Sequence, residues 1–200
     1  MARHANQAAA LLAHLHQTGS QTTAQLTAAG FSASMLTRMV HDGRIQRVAR
    51  GVYTLPNAPF DPHMALVEAC ARVPQGVVCL LSALAFHGIG SQQPRKVWLG
   101  LPRGYRPPKD MPLHTITLAD WALHESVETR RLPSGVARIT SPPRTVVECI
   151  KHRHKVGLDT CQEALREVLA RKLATPAELD ALGEHFRVSG ILRPWLEALV

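Results

Sequence analysis

Between Gly19 and Leu55 the sequence sets two capped helices, a forced turn and a hairpin in immediate succession, and few folds can accommodate that order. Thr22 stands where it would cap a short helix reaching Ala29, with Leu26 on its inner side. Gly30 then ends the helix and Phe31 plugs the turn. Ser32 caps a third helix running to about His41, and Met35, Leu36, Met39 and Val40 form its apolar stripe. Asp42-Gly43 is a turn signal. Arg44-Ile45-Gln46-Arg47-Val48 and Gly51-Val52-Tyr53-Thr54-Leu55 read as strands about a tight Ala49-Arg50-Gly51 bend. Upstream, Ala8, Leu11, Leu12 and Leu15 recur at helical spacing between Ala5 and Gln17.

Helix, helix, turn, helix, hairpin is the order of a winged helix-turn-helix, a unit that offers one helix to the DNA major groove. If Met35, Leu36, Met39 and Val40 face inward, the outward residues of the segment 32–42 are Ser34, Thr37, Arg38 and His41, with Ser32 at its start. Arg38 suits a bidentate contact to a guanine edge, while Ser34 and Thr37 suit bases or phosphates. The wing, 44–55, carries Arg44, Arg47 and Arg50, and Arg50 at its tip suits a minor groove or a phosphate. Charge supports this reading. The chain has a net charge of +8, and residues 1–60 hold Arg3, Arg38, Arg44, Arg47 and Arg50 against Asp42 alone. A polyanion such as double-stranded DNA is the expected partner.

Pro56 to Pro62 is rich in turn formers, so the expected division is a DNA-binding domain over 1–58 and a second domain over 59–200. Beyond it, helices are expected over 64–73, 82–87 and 158–172, from Ser141-Pro142, from the capping box Thr175-Pro176-Ala177-Glu178, and at the end of the chain. Strands are expected near 77–81, 96–101, 113–118, 126–132 and 135–140. The fold class is therefore mixed α+β: a winged helix followed by an α/β domain that ends in helices. A second basic zone gathers Arg95, Lys96, Arg103, Arg106 and Lys109, with Arg130, Arg131, Arg138 and Arg144 from later elements. A solvated rim, extra DNA-backbone contact or RNA contact would each account for it. Arg144 falls in the first turn of a helix, where the macrodipole disfavours a cation, so it either pairs with a carboxylate or reaches a ligand.

Catalytic constellations are weak. His152-Arg153-His154 beside Cys149 lacks the remaining ligands of a zinc site. Ser82 and His87 are five residues apart on one helical stretch, which does not set a base against a nucleophile. Asp120, Glu125 and Glu128 lack the companion lysine of a restriction-type nuclease, and there is no glycine-rich phosphate loop. The expectation is a non-enzyme with no cofactor and no metal. Cys70, Cys79, Cys149 and Cys161 have no C-x-x-C spacing, as in a reduced cytoplasmic chain, and neither a secretion signal nor a membrane-spanning run is visible.

The segment GSQTTAQLTAAGFSASMLTRMVHDGRIQRVARGVYTLP resembles the N-terminal winged-helix domain of the AbiEi-like antitoxins of bacterial abortive-infection operons. VVCLLSALAFHGI, VWLGLPRG and RITSPPRTVVECIKHRHKVGLDTCQEALRE resemble the domain that follows in that family. The resemblance implies an autorepressor of its own promoter. It also implies a type IV antitoxin whose C-terminal domain counteracts a nucleotidyltransferase toxin without a stable complex. Two other readings stay open at this point: a nucleic-acid-cleaving or -modifying enzyme targeted by a winged helix, and a transcription factor whose second domain senses a small ligand.

Overall fold

The caps expected of Thr22 and Ser32 are both made in the computed structural model, which describes residues 2–58 and 61–199. Pro59 and Phe60 of the expected linker, and the side chain of Arg3, lie outside the described residues. Helix α1 spans Ala2–Thr18, α2 Thr23–Ala28 and α3 Ala33–His41. The Thr22 hydroxyl accepts the Gln25 amide at 3.2 Å while Gln25 Oε1 accepts the Thr22 amide at 2.8 Å, a reciprocal capping box. Leu11, Leu15, Leu26, Leu36, Met39 and Ile45 form the buried centre of the three helices, with Phe31 and Val40 packed against it. Strands β2 (Gln46–Ala49) and β3 (Val52–Thr54) make the hairpin. A third strand, β1 (Gln21–Thr22), pairs with β3 and gives the order β1-β3-β2. Two residues cannot announce a strand by periodicity, and β1 was not expected.

By compactness the chain forms two units, Met1–Pro74 with Thr129–Ala137, and Gln75–Glu128 with Arg138–Val200. The boundary expected between 58 and 59 therefore falls inside the first unit, which also takes in helix α4 (Met64–Arg72) and the tip of a later hairpin. Specific contacts hold that tip. Asp61 is 3% exposed, and its carboxylate accepts the His63 amide at 2.8 Å, the Ser134 amide at 3.1 Å and the Ser134 hydroxyl. The Ser20 amide donates to the Ser134 carbonyl at 2.6 Å. Gly19, at φ +73°, has room only for hydrogen beside this turn, because a Cβ there would lie 2.6 Å from the Gly135 nitrogen.

The second unit is built on the larger sheet, ordered β6-β5-β4-β8-β7. Its strands are β4 (Val77–Val78), β5 (Val97–Pro102), β6 (Leu113–Leu118), β7 (Val127–Leu132) and β8 (Gly135–Thr140), the last two sharing their tip with the first unit. β4 runs antiparallel to β5 and parallel to β8, and β5 runs parallel to β6. Helices α5 (Leu80–His87), α6 (Pro142–Lys151), α7 (Arg153–Val156), α8 (Leu158–Ala170), α9 (Pro176–His185) and α10 (Ser189–Glu197) complete it. Its core includes Leu84, Ile89, Val146, Ile150, Leu165 and Phe186. The mixed α+β class is borne out, with the helical end expected of it.

Burial opposes ionisation of Asp61, but the Ser134 hydroxyl and the His63 and Ser134 amides outweigh it and hold the carboxyl below its ordinary value. Asp61→Ala strips partners from a buried hydroxyl and amide and should cost about 1–3 kcal/mol in urea unfolding of the full chain. A carboxylate with a lowered folded pKa stabilises above its unfolded value of about 4. The gap between wild type and Asp61→Asn should thus be full at neutral pH and shrink as the pH falls below about 4.

Candidate nucleic-acid interface

The seating of α3 decides which of its residues remain available. Met35, Leu36 and Met39 are at most 5% exposed, and that register turns Ser34, Thr37, Arg38 and His41 outward. The hydroxyls on this face are partly committed. Ser32 Oγ accepts the Met35 amide at 3.3 Å and lies 3.1 Å from Ser34 Oγ. Thr37 donates its hydroxyl proton to the Ala33 carbonyl at 3.1 Å, so its lone pairs are left to accept from a base amino group. His41 Nδ1 lies 3.5 Å from Asp42, which is the one acid near this surface in sequence. Arg38 is exposed and stands between Thr37 and His41 on the outward side.

Arg44, Arg47 and Arg50 are exposed along the wing. The ladder between β2 and β3 is irregular between Arg47 and Ala49. Gly51, at φ +73°, makes the tight bend beside Arg50. Thr23 pins that bend, since its amide donates to the Gly51 carbonyl at 2.8 Å and its hydroxyl to the same oxygen at 3.3 Å. The first residue of α2 thus fixes the loop that carries Arg50. Only the long-range fold brings Thr23 and Gly51 together, so no local signal marked Thr23. All eight expected contact residues, Ser32, Ser34, Thr37, Arg38, His41, Arg44, Arg47 and Arg50, are exposed within one unit.

The second basic zone does not stay whole. Arg95, Lys96, Arg103, Arg106 and Lys109 are exposed about β5 and its following loop, in the second unit. Arg130 and Arg131 are exposed in the hairpin tip that counts with the winged helix. Arg138 donates to the Leu123 carbonyl at 2.5 Å. Arg144 leaves the surface altogether. It is fully buried, donates from Nη2 to Glu148 at 2.9 Å and from Nη1 to the Glu125 carbonyl, and lies 5.4 Å from the centroid of the Phe186 ring. The carboxylate alternative for Arg144 is the one realised: Glu148, one helical turn on, offsets the dipole that opposes a cation there.

Ser82 and His87, weighed for catalysis, are engaged elsewhere. Ser82 Oγ accepts the Trp98 amide at 2.9 Å, and His87 Nε2 lies 2.7 Å from the Thr140 carbonyl. All four cysteines are buried and none is in a disulfide, and burial pushes the Cys79 and Cys149 thiols well above their ordinary range.

Comparison with known proteins agrees with this surface. Residues 22–56 match the family model described as a transcriptional regulator, AbiEi antitoxin. That match covers α2, α3 and the wing, and bears out the resemblance drawn from the sequence. No curated protein matches the chain. A solved structure, the crystal structure of RV2827C protein from Mycobacterium tuberculosis, is similar in fold, with a TM-score of 0.55 and 18% sequence identity. The likeness covers 96% of this chain and 80% of that one, so the fold similarity extends through both units. Among the described residues no helix is long and apolar enough to cross a membrane.

The Arg144–Glu148 pair yields a direct test of the second unit. Burial raises the Glu148 carboxyl above its usual range while the Arg144 charge pulls it back. Arg144→Met leaves Glu148 buried without its partner and should cost about 3–5 kcal/mol at pH 8 in denaturant melts. Losing Arg144 raises the folded pKa of Glu148 further, so acidification neutralises it and the deficit should be smaller at pH 5. Arg144→Met/Glu148→Leu should recover most of the loss at both pH values.

Proposed function

From a winged-helix segment matching the AbiEi antitoxin regulators, we propose that the chain is a cytoplasmic autorepressor that binds double-stranded DNA of its own promoter. In this reading the protein is also a type IV antitoxin. It opposes a nucleotidyltransferase toxin through its second unit, without a stable complex, and acts by binding rather than catalysis. One observation carries the DNA-binding part: the core register of α3 leaves Ser34, Thr37, Arg38 and His41 on one exposed face beside the arginines of the wing. Ser82 and His87, each held by a separate structural partner, support the non-catalytic part. The exposed group from Arg95 to Lys109 would add phosphate contacts to DNA or RNA.

Readout and positioning separate by mutation. Arg38→Ala should weaken promoter binding by roughly 1–3 kcal/mol and relax base preference at one position. Arg50→Ala should lower affinity for all sequences and flatten the salt dependence. Titrations on promoter and random DNA across a salt series check both. Equal losses on the two DNAs for Arg38→Ala would remove its role as a base reader. For the antitoxin part, Arg38→Ala/Arg50→Ala should derepress a reporter yet still rescue growth against the toxin encoded beside it. Loss of rescue by that folded variant would place both functions on the winged helix.

A further inference from the structure

The second unit holds a cleft of about 450 Å³ lined by Trp121, Lys151, His185, Phe186 and Arg187. Its walls carry aromatic rings and basic side chains and no acid. Trp121 is 44% exposed, although the other two tryptophans, Trp98 and Trp195, are buried and half-buried. Its ring is nonetheless held. It meets His185 at 4.3 Å between centroids and 70°, and Phe186 at 5.1 Å and 61°. Tilted contacts of this kind fix the orientation of the indole, which keeps 44% of its surface exposed.

Two cations, Lys151 and Arg187, line the same cleft. Lys151, the last residue of α6, places Nζ 5.6 Å from the Phe186 ring centroid. Arg187 follows the end of α9, where the Val188 amide returns to the Gly183 carbonyl at 2.8 Å and the Arg187 amide to Glu184 at 3.0 Å. That closure places Arg187 at φ +59°, a position where glycine is the usual occupant. Arg187 is exposed at that position and lines the cleft. Of the acids nearby, Glu148 pairs with Arg144, and Asp180 and Glu184 pair with Arg193, while Asp120 precedes Trp121 in an exposed position.

We propose that this cleft binds one phosphorylated nucleobase, with the base stacked on Trp121 and the phosphate held by Lys151 and Arg187. The ligand chemistry follows by elimination. Two cations, Lys151 and Arg187, disfavour a cationic ligand. An inorganic anion or an acidic side chain would use the cations and leave the indole face wet. A nucleotide supplies both a planar base and a phosphate, the pairing that single-strand binding surfaces exploit. The cleft volume lies in the range of small-ligand sites. The nucleotide could be free or part of a single strand, and the test below distinguishes the two. None of the five residues belongs to the winged-helix surface, so the inference stands apart from the proposed DNA binding.

The full chain is titrated calorimetrically at low salt with AMP, GMP, CMP and UMP, with inorganic phosphate, and with an oligouridine of about ten nucleotides. Binding by a monophosphate assigns a free nucleotide; binding by the oligonucleotide alone assigns a single strand. Trp121→Ala and Lys151→Gln should each weaken that binding by about tenfold or more. Arg187→Gly separates ligand from fold, because it should raise the melting temperature while lowering affinity. Arg38→Ala/Arg50→Ala should bind as wild type does. The proposal is overturned if no nucleotide or strand binds at millimolar concentration, or if phosphate binds as well as the nucleotides. Wild-type affinity in folded Trp121→Ala and Arg187→Gly, or lost affinity in the winged-helix variant, overturns it as well.

Discussion

Arg144 is a full positive charge without exposed surface, placed in the first turn of a helix whose dipole opposes it. The second unit is organised by what that charge requires. Glu148 lies one turn along α6, the Glu125 carbonyl comes from the end of the turn that begins at Trp121, and the Phe186 ring comes from the end of α9. Two segments far from α6 in sequence are thus held to one guanidinium. A buried ion pair contributes little compared with apolar side chains of the same volume, but it is expensive to leave half made. Its effect is to fix geometry. Phe186, held from one side by Arg144, is the floor of the cleft in which Trp121, Lys151 and Arg187 meet.

The first unit is governed differently, by local chemistry. Its helices are set by caps and by a short apolar stripe, and what faces outward on α3 is what the core does not take. The wing adds two backbone constraints, the Gly51 bend and the Thr23 bonds that hold it. Rigidity of this kind matters for groove binding, since an arginine at the end of a mobile loop loses conformational entropy when it meets a phosphate.

The legible parts of the fold were those whose signals lie within a few residues. Thr22, Ser32 and Thr175 announce their helices because a cap acts on an amide three positions on. β1 and β4 were illegible as paired strands: two residues have no period, and their pairing is decided by partners far along the chain. The Asp61–Ser134 bonds span 73 positions, and nothing near Asp61 foretells them. Arg144 was half legible. Its conflict with the helix dipole marked it as unusual, but only the fold supplies Glu125 and Phe186. The outward set on α3 was legible because it is the complement of a readable core stripe. The cleft at Trp121 was not, because an apolar residue in a short turn reads as core.

Charge distribution along the chain and charge distribution over the units are different quantities. Read along the chain, Arg130 and Arg131 group with the cations from Arg95 to Lys109. Compactness puts them with the winged helix instead, held there by the Ser20, Asp61 and Ser134 hydrogen bonds. A unit boundary therefore cannot be drawn at the proline-rich segment after Leu55. A fragment ending there would lack α4, Asp61 and the hairpin tip, and would leave the Gly19–Ser20 turn without the partners that bury it. The cations of that tip belong in any account of the winged-helix surface, whereas the Arg95–Lys109 group can be altered without touching that unit. The first unit is complete only when the later hairpin is counted with the helices it packs on.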